Sequence, residues 1–413
     1  MAANVITTRC CIAGGGPAGM MLGLLLARAG VDVIVLEKHV DFLRDFRGDT
    51  IHPSTMEIMH ELGFLEEFLT LPHQPVPRLV TQFGNQAVTL ADFSHLPARA
   101  KFIAMMPQWD FLNFLVSKAR AYKSFRLIMQ SHATELIEDR AKIIGVKTSS
   151  PDGPLEIRAA LVVAADGRDS TLRAQSGLAV TEFGAPMDAL WFRLSRREND
   201  TDQTQGRFDA GRVFVMLNRG DYWQCAFVIP KGWNERVRAA GLEAFQRDVG
   251  KLLPFAAERA QDIKDWDQVK LLTVQVNRLD TWWRDGFLCI GDAAHAMSPI
   301  GGVGINLAVQ DAVAAANILA SPLKDNRLFE IHLAALQKRR EWPTKVTQRL
   351  QLAIQNRVIA PALFGKGEFK PPLILRLIAS VPGLNRIPAR LMGLGVRPEH
   401  VETPEVSVLA NLD

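Results

Sequence analysis

The N-terminal residues show an apolar run, a glycine-rich break and a second apolar run. The run over 6–13 predicts a short strand, and apolar positions recur at helical spacing over 17–29, with Pro17 in the first turn. Gly30 predicts the end of this helix, and the apolar run over 31–36 predicts a second strand. The chain therefore begins with a predicted strand–helix–strand unit.

The pattern changes twice along the rest of the chain. Helical spacing gives way to short β-type runs, helical spacing returns, and a buried strand then precedes an alanine-rich helix. Such β-rich insertions in an α/β frame predict domains that are not contiguous in sequence. Helices are predicted over 53–62, 109–121 and 305–319, and one or two helices are predicted over 235–263. The predicted β-rich runs cover 125–165, 187–229 and 287–290.

The composition is that of a large globular protein. Of 413 residues, 48% are hydrophobic and 22% are charged. A chain of this length buries a sizeable core and has room for two or three domains, which excludes a small binding module. The 48 Lys and Arg nearly cancel the 44 Asp and Glu, giving a net charge of +4. This balance argues against a nucleic-acid partner.

Cysteine usage and the apolar runs predict the compartment. The cysteines form no CxxC pair and no Cys/His cluster at zinc spacing, so we expect no metal site and a reducing cytoplasmic environment. Gly14 to Pro17 interrupt the N-terminal apolar stretch, which argues against an export signal. The sequence has no run of about 18 uncharged apolar residues, so a membrane-spanning helix is not expected.

A G-x-G-x-x-G motif lies between the first predicted strand and helix. Its glycines, Gly14, Gly16 and Gly19, allow a tight turn and close approach of the backbone to a pyrophosphate. Glu37 follows Gly19 by 18 residues, at the end of the second strand, where a carboxylate accepts hydrogen bonds from ribose hydroxyls. The alternative of a plain turn is weaker, because strand, helix, second strand and acid occur in order. The unit predicts dinucleotide binding.

Two further motifs make the prediction specific. Asp166-Gly167 is followed by Ser170 and Arg173, and Gly291-Asp292 begins a stretch that continues through His295, Pro299 and Gly302-Val303-Gly304-Ile305-Asn306. Together with the glycine loop, this order resembles the single-component aromatic hydroxylases, the para-hydroxybenzoate hydroxylase-like family of FAD-dependent monooxygenases. The resemblance covers roughly residues 5 to 320 in organisation.

The resemblance implies a fold class and a division of the chain. The expected fold is α/β, a Rossmann-like FAD-binding domain with an interleaved β-sheet substrate domain and a C-terminal helical region. The expected FAD-binding domain comprises 1–72, 100–180 and 278–320, the substrate domain comprises 73–99 and 181–277, and a basic helical extension comprises 321–413.

The resemblance also implies a reaction. It predicts hydride transfer from NADPH or NADH to FAD, capture of O2 as a flavin C4a-hydroperoxide, and transfer of one oxygen atom to an electron-rich substrate. The chain has one G-x-G-x-x-G, which agrees with a family that has no second Rossmann domain. The alternative is an FAD-dependent reductase or cyclase acting on an apolar lipid without oxygen insertion. A halogenase is disfavoured because the WxWxIP motif is absent, Trp282-Trp283 being followed by Arg284.

The resemblance assigns roles to individual residues. Asp292 is expected to bond ribityl hydroxyls, the turn into the helix at Gly304 to face the flavin N1/C2 carbonyl region, and Pro299 to lie beside the reactive face. Asp166 and Arg173 are expected to support the flavin and nicotinamide sites, with a local capping network around Arg173 as the alternative. Gln108 is expected to contact the flavin, with a helix-start role as the alternative. The predicted cofactor-binding residues are Gly14, Gly16, Ala18, Gly19, Glu37, Lys38, Arg47, Gln108, Asp166, Asp292, Gly304, Ile305 and Asn306. His295 is expected to support the structure.

The β-rich insertion is aromatic, which bears on the substrate. Trp223, Cys225, Phe227 and Ile229 share one face of a strand by their period of two, and this stripe either belongs to the core or lines the pocket. Arg193 is the nearby cation that would bind a phenolate or carboxylate. With Tyr122 and Tyr222 as the only tyrosines, a paired-tyrosine proton network is not expected. The predicted substrate is an apolar, multi-ring aromatic or polyketide-like compound.

The net charge of +4 hides a basic C-terminal region. Residues 338–397 contain 12 Lys and Arg and two Glu, mixed with apolar residues such as Leu373 and Ile374. Such a segment either packs as helices over the active-site domain or lies on an anionic membrane. The packed arrangement is the prediction, and peripheral membrane contact is the alternative.

Overall fold

The computed structural model describes residues 4–43, 50–84, 86–201, 204–209, 211–365, 371–381 and 383–406. Its strands are β1 (Asn4–Ala13), β2 (Val33–Leu36), β3 (Thr50–Ile51), β4 (Gln74–Val76), β5 (Arg78–Phe83), β6 (Gln86–Asp92), β7 (Ile103–Met105), β8 (Phe125–Ile128), β9 (His132–Asp139), β10 (Lys142–Ser149), β11 (Leu155–Ala164), β12 (Val180–Glu182), β13 (Met187–Ser195), β14 (Gln205–Asp209), β15 (Arg212–Asn218), β16 (Tyr222–Pro230), β17 (Lys270–Leu272), β18 (Asn277–Leu279), β19 (Trp283–Arg284) and β20 (Phe287–Cys289). Its helices are α1 (Pro17–Arg28), α2 (Pro53–Glu61), α3 (Leu65–Phe68), α4 (Gln108–Ala119), α5 (Thr171–Ser176), α6 (Asn234–Ala239), α7 (Leu242–Leu252), α8 (Gly304–Lys324), α9 (Glu330–Ile354), α10 (Ala360–Phe364), α11 (Leu373–Ser380) and α12 (Arg386–Gly393).

The first sheet has a parallel centre covered on both faces. Its order is β19-β20-β11-β1-β2-β8, with the β9-β10 hairpin paired to β11. Helices α1, α4 and α8 pack on one face, and α5 with the hairpin covers the other. Parallel strands buried on both faces consist of continuous apolar residues, which is why the runs over 6–13 and 31–36 predicted them. The Rossmann-like part of the predicted fold class is confirmed.

The second sheet is built from the two segments expected to form the substrate domain, 73–99 and 181–277. Its order is β17-β13-β16-β15-β14-β5-β6, and its pairing is antiparallel except between β14 and β5. The strands of the two segments thus lie side by side in one sheet, and the interleaved sheet of the predicted fold class is confirmed. β4 instead pairs with β7 beside β3.

The aromatic stripe of β16 belongs to the core. Trp223, Cys225 and Phe227 face α7, where they pack in one cluster with Phe245 and Val249. This face of the second sheet is called the outer face here. The stripe therefore does not line a pocket, and the opposite face of the second sheet is called the inner face here.

The C-terminal helices pack over the inner face of the second sheet. Ala362 of α10 packs with Val213 and Val228 of that face, and Ala389 of α12 is buried beside Phe93. The predicted helical C-terminal region is confirmed, and it covers the sheet that carries the expected substrate site.

One predicted helix boundary was wrong. The helix expected to end at 319 continues to Lys324, because Leu323 is buried in the core and Pro322 is accommodated near its end. The stretch 235–263, expected to form one or two helices, contains two, α6 and α7, followed by a 3-10 segment, Pro254–Asp262, since proline lacks the N–H that would continue α7.

The segment Ile300–Lys324 is, among the described residues, long and apolar enough to cross a membrane by length and composition. In the fold, 72% of its apolar window is buried inside the protein. Its Ala- and Val-rich face packs in the same cluster as α1 and the first sheet. The segment therefore serves as a core helix.

Candidate active site

The three motifs meet at the carboxyl edge of the first sheet. In the strand register, Ala13 of β1 pairs with Leu36 of β2 and with Ala164 of β11, and Ala164 pairs with Cys289 of β20. The residues that follow these strands are therefore neighbours in space. Ligands of open α/β sheets bind at this edge.

The glycine loop after β1 is closely packed against the second motif. Gly14 has φ of 111°, and a Cβ at this position would overlap the carbonyl oxygen of Ala165. A Cβ on Gly19 would overlap the carbonyl oxygen of Gly14, so α1 also depends on glycine to approach the loop. These two positions require glycine for different reasons, backbone conformation and space.

The N-terminus of α1 faces open space. Gly16 is its N-cap and receives no side-chain cap from the part of the chain described, and a Cβ at Gly16 would meet no atom within 4 Å. Ala18, in the first turn, is buried against Gly291. Unbonded N–H groups and the positive end of the helix dipole suit a phosphate at this point.

Glu37 is held under the glycine loop. Its Oε2 accepts a hydrogen bond from the Gly15 N–H at 3.1 Å, and its Oε1 accepts one from the His39 N–H at 2.9 Å. The side chain is buried, whereas that of Lys38 is exposed. Glu37 thus fixes the loop, and its predicted bond to a ribose stays a prediction.

Asp166 and Arg173 form the local capping network that the sequence left open. Asp166 Oδ2 accepts from the Thr171 N–H at 3.0 Å, and the Ser170 hydroxyl accepts from the Arg173 N–H at 3.0 Å, so both cap α5. Arg173 also donates to the Ala293 carbonyl at 3.2 Å, which ties the second motif to the third. Burial raises the pKa of Asp166 above its ordinary value, despite the hydrogen bonds that favour its ionised form.

Asp292 follows β20 and faces a cation from the second motif. Its Oδ2 lies 3.3 Å from Nη2 of Arg168, and both side chains are partly exposed. Sequence analysis missed Arg168, although it stands two residues after Asp166 in the same motif. The pair places a carboxylate and a guanidinium at the accessible edge of the sheet.

A tight turn precedes α8. Gly301 and Gly302 have φ of 77° and 62°, and a Cβ on Gly302 would overlap the Thr50 side chain. α8 begins at Gly304 without a side-chain cap from any described residue. Pro299 is exposed at the start of the turn, and Ile305 is half-buried against the core. The helix dipole therefore favours negative charge beside this turn.

Asn306 holds the turn through its amide. Its Oδ1 accepts from the His52 N–H at 2.8 Å and the Thr55 hydroxyl at 2.7 Å, while its Nδ2 donates to the carbonyls of Thr50 at 3.1 Å and Gly302 at 3.3 Å. An amide offers two acceptor sites and two N–H donors, so these bonds use all of them. Asn306 positions the turn, and its predicted direct contact with the cofactor stays a prediction.

His52 links this turn to the C-terminal region, a connection that sequence analysis missed. Its Nδ1 lies 2.7 Å from the Met392 carbonyl oxygen, at the end of α12. Burial lowers the pKa of His52 from 6.5 to about 4, so the ring is neutral at pH 7 and Nδ1 donates the bond. The two residues are 340 positions apart, and no sequence signal joins them.

His295 supports the third motif from inside. Its Nε2 lies 2.6 Å from Oδ2 of Asp311 on α8, and its ring packs 4.9 Å from that of Trp282, centroid to centroid. The residue is buried. This placement agrees with the supporting role expected from sequence.

The remaining predicted residues are less informative. Gln108 is the first residue of α4 and is half-buried. Arg47 lies outside the described residues. Arg193 is exposed, and its guanidinium lies 4.6 Å from the centroid of the Tyr222 ring, so it stacks at the surface of the second sheet.

The inner face of the second sheet forms an apolar wall near the turn. Trp191 and Val215 pack there with Met392, and Ile300 of the turn packs with Val213 of the same face. Sequence periodicity separates the two faces of this sheet but does not show which one meets the turn. In the sequence, the inner face corresponds to the strand residues that alternate with those of the aromatic stripe.

The residues at the carboxyl edge fit FAD. Two helices, α1 and α8, have N-termini without side-chain caps from described residues. At Gly14, the glycine loop lies close to the backbone of Ala165. Oδ1 of Asp166 is buried and has no partner among the described atoms. An anionic pyrophosphate suits α1, and the electron-accepting carbonyl region of a flavin suits α8.

Comparison with known proteins agrees with this fit. Residues 7–350 match the family model of the FAD binding domain. The chain is 30% identical over 356 residues to 6-methylpretetramide 4-monooxygenase of Streptomyces rimosus, an alignment covering 85% of this chain and 84% of that protein. The fold resembles OxyS anhydrotetracycline hydroxylase of S. rimosus (TM-score 0.74, 24% identity, 95% of this chain and 77% of that chain) and the flavin-dependent brominase Bmp2 (TM-score 0.76, 18% identity, 95% of each chain).

Proposed function

Because the chain belongs to the family of FAD-dependent aromatic monooxygenases, whose FAD-binding domain it carries over residues 7–350, we propose that it hydroxylates an apolar aromatic or polyketide-like compound with NADPH or NADH as electron donor. The observation that carries the substrate class is the apolar inner face of the second sheet beside the turn that precedes α8. A fused-ring substrate suits a wall of this kind better than a small polar acid.

The residues of the chain would bind the cofactor at both ends. The α1 N-terminus would hold the pyrophosphate, Glu37 the adenosine ribose, Asp292 the ribityl hydroxyls and the α8 N-terminus the flavin carbonyl region. When bound, FAD would accept hydride from NAD(P)H and pass its electrons to O2, so that one oxygen atom reaches the substrate. The peroxide route implied by the family resemblance stays a prediction.

Two polar atoms on the inner face support a substrate that carries oxygen. Trp191 Nε1 and Gln224 Nε2 are buried and have no hydrogen-bond partner among the described residues. Trp191 pairs across the strands with Ala226, and Gln224 lies two residues along β16 on the same face, so the two donors are diagonal neighbours. They would donate to a carbonyl or phenolic oxygen of the substrate.

The test is substrate-stimulated oxidation of NADPH or NADH by the purified flavoprotein. Fused-ring phenols and single-ring phenols are compared in the presence of isotopically labelled O2. We expect faster oxidation with fused-ring compounds and one labelled oxygen atom in the product. Product formation by the reduced enzyme without O2 would contradict the proposal and favour the reductase or cyclase alternative.

The halogenase alternative rests on relatives of 18–22% identity. The brominase structure is 18% identical and shares the fold alone. The sequence after Trp282-Trp283 departs from the halogenase tryptophan motif. Addition of bromide or chloride to the assay should therefore give no halogenated product.

We also propose a cytoplasmic location with peripheral contact to an anionic bilayer. All four cysteines are buried and unpaired, which supports a reducing compartment. Residues 371–398 contain four Arg and no Asp or Glu, and Arg376, Arg386 and Arg390 are exposed. Beside these cations lie exposed apolar side chains, the C-terminal surface: Leu373, Ile374, Leu377, Ile387 and Leu391. Cations mixed with apolar side chains suit an anionic lipid surface.

Vesicle sedimentation tests this contact. We expect the protein to sediment with vesicles containing phosphatidylglycerol, less so at high salt, and not with phosphatidylcholine alone. Ile374→Ser should weaken binding, whereas Ile331→Ser, which alters an equally exposed side chain on α9 away from the C-terminal surface, should not. Equal loss in both variants, or no sedimentation of the wild type, would contradict the proposal.

A further inference from the structure

The C-terminal segment 397–406, called the strap here, lies against the helices that cover the first sheet. Near its end, Glu405 accepts a hydrogen bond from the Tyr122 hydroxyl at 2.8 Å and pairs with Arg28 at 3.3 Å. Near its start, Glu399 reaches into the protein. The strap lies beyond residue 350, where the match to the family model of the FAD binding domain ends.

Glu399 is bound by two successive arginines of α9. Its carboxylate accepts three hydrogen bonds from Arg339, from Nε at 2.9 and 3.1 Å and from Nη2 at 2.9 Å. Nη1 of Arg340 donates to Oε1 of Glu399 at 3.0 Å. Glu399 is 4% exposed and Arg340 is 0% exposed, so the second pair is screened from water.

The other edge of Arg340 contacts the third motif through Asp311. Nε of Arg340 donates to Asp311 Oδ1 at 2.9 Å. Oδ2 of Asp311 accepts from the Gly291 N–H at 3.1 Å and from His295 Nε2 at 2.6 Å. Burial raises the pKa of Asp311, but His295 and Arg340 hold it below its ordinary value, so the carboxylate acts only as acceptor. A continuous chain of hydrogen bonds therefore joins the strap to the residue before Asp292.

The charged side chains in this series of hydrogen bonds, Glu399, Arg340 and Asp311, alternate in sign and are buried. Removing one partner of a buried ion pair leaves the other charge without compensation, which is strongly unfavourable. Without Glu399, Arg340 would have Asp311 alone as its counter-charge, which would weaken the hydrogen bond that Asp311 accepts from the Gly291 N–H. The loop has little room to adjust, because Gly291 has φ of 60° and lies against Ala18.

We propose that Glu399 is a positioning residue of the FAD site, which acts through Arg340 and Asp311 to hold the Gly291–Asp292 loop in place for the ribityl chain. The strap is thereby part of the cofactor site although it does not touch the cofactor. This inference rests on FAD binding and not on the identity of the substrate. A wild-type protein that holds FAD but hydroxylates none of the compounds tested would leave it intact.

The test is the rate at which FAD leaves the full-length holoenzyme. Wild type and variants are diluted into FAD-free buffer, and the rise of free-flavin fluorescence is followed while circular dichroism monitors the fold. Glu399→Gln should release FAD about tenfold faster at unchanged circular dichroism. Glu405→Gln, which removes a carboxylate from the same strap, should release FAD at the wild-type rate. Glu399→Asp, which restores the charge, should fall between Glu399→Gln and wild type.

Three results would overturn the proposal. One is a wild-type release rate in Glu399→Gln, and another is equal acceleration in Glu399→Gln and Glu405→Gln, which would indicate general loosening of the strap. If Glu399→Gln does not fold, Arg339→Gln takes its place, because Arg339 is partly exposed and its loss removes the three hydrogen bonds that orient the Glu399 carboxylate toward Arg340. We expect FAD release from Arg339→Gln to be about threefold faster than from wild type. A wild-type release rate in Arg339→Gln is the third result that would overturn the proposal.

Discussion

At the residue scale, Asp292 is the carboxylate that we propose binds the ribityl chain of FAD. It lies at the accessible carboxyl edge, with Arg168 as its described cationic neighbour at 3.3 Å. Asp292→Ala removes the acceptor for ribityl hydroxyls, and hydrogen bonds to a charged group contribute about 1.5–3 kcal/mol. We expect FAD affinity to fall by about 10- to 100-fold, measured by flavin titration and by the flavin content of the purified protein.

The matched control for this prediction is Asp169→Ala. Asp169 is an exposed carboxylate of the second motif, three residues from Asp166, and it contacts nothing in the third motif that the structure describes. Its replacement should leave flavin content unchanged. Wild-type flavin content in Asp292→Ala would show that the ribityl chain lies elsewhere.

Trp191 tests the substrate wall at the same scale. Trp191→Phe keeps an aromatic ring on the inner face but removes the buried Nε1 donor, which has no partner among the described residues. If this N–H bonds a substrate oxygen, KM should rise about two- to tenfold, the range for one neutral hydrogen bond, with little change in kcat. Steady-state kinetics with the best fused-ring substrate measures both constants.

Trp233→Phe provides the comparison, because Trp233 is partly exposed beside Arg236 and outside the inner face. It should leave KM unchanged. Equal KM values for Trp191→Phe and wild type would mean that the substrate does not reach this donor.

Residue types and spacing predicted the motif positions well but not what each side chain does. Gly14, Asp292 and the turn before α8 were expected at the site, and all lie at the carboxyl edge. Asn306 was expected to contact the cofactor, yet its amide is fully engaged by the chain. A motif indicates that a residue is needed at a site. Whether its side chain contacts the ligand or instead holds a loop of the site depends on the three-dimensional structure.

At the element scale, the loop between β1 and α1 offers a test of close packing. Gly14 and Gly153 have similar φ of 111° and 102°, but a Cβ would overlap Ala165 at Gly14 and would meet open space at Gly153. Alanine at either position carries the strain of positive φ, about 1–3 kcal/mol. Gly14→Ala should cost about 2 kcal/mol more than Gly153→Ala and should also lose FAD, because the backbone of Ala165 must move.

Urea unfolding of both variants, with flavin content measured in parallel, checks this prediction. The two glycines serve as each other's control, since only the space around them differs. If both substitutions cost the same and both proteins retain FAD, the approach of the glycine loop to β11 is not what requires Gly14.

Periodicity predicted the strands of the second sheet without their orientation. A period of two placed Trp223, Cys225 and Phe227 on one face, and the structure buries that face against α7. Which face α7 covers depends on how the chain returns after β16, and this is not encoded in the strand itself. The sequence therefore did not identify the inner face, with Trp191 and Val215, as the wall that we propose for the substrate.

At the scale of the whole molecule, the described residues near the site are joined across long stretches of sequence. His52 meets Met392, and Glu399 reaches Asp311 through Arg340. Local propensity and motif spacing depend on neighbours in the sequence. The helical character of the C-terminal region was therefore predictable, whereas its contact with His52, beside the turn that precedes α8, was not. The basic charge of that region indicated a surface but not these buried ion pairs.

His52 makes this long-range packing sensitive to pH. Burial lowers its pKa in the folded protein from 6.5 to about 4, whereas the unfolded chain keeps the ordinary value. Between these values the unfolded state binds a proton that the folded state does not. Stability is therefore fully present above pH 6.5 and falls as pH drops toward 4, by up to about 3 kcal/mol from this one group.

Urea unfolding at pH 7.5 and at pH values down to 4.5 measures this loss. His52→Gln has no imidazole to protonate, so its free energy of unfolding should fall less steeply with pH than that of wild type, even if it is lower at pH 7.5. His60→Gln, which removes an exposed histidine of α2, should retain the wild-type slope. Parallel slopes for wild type and His52→Gln would contradict the prediction, because the contact between the flavin turn and α12 would then not require a neutral His52.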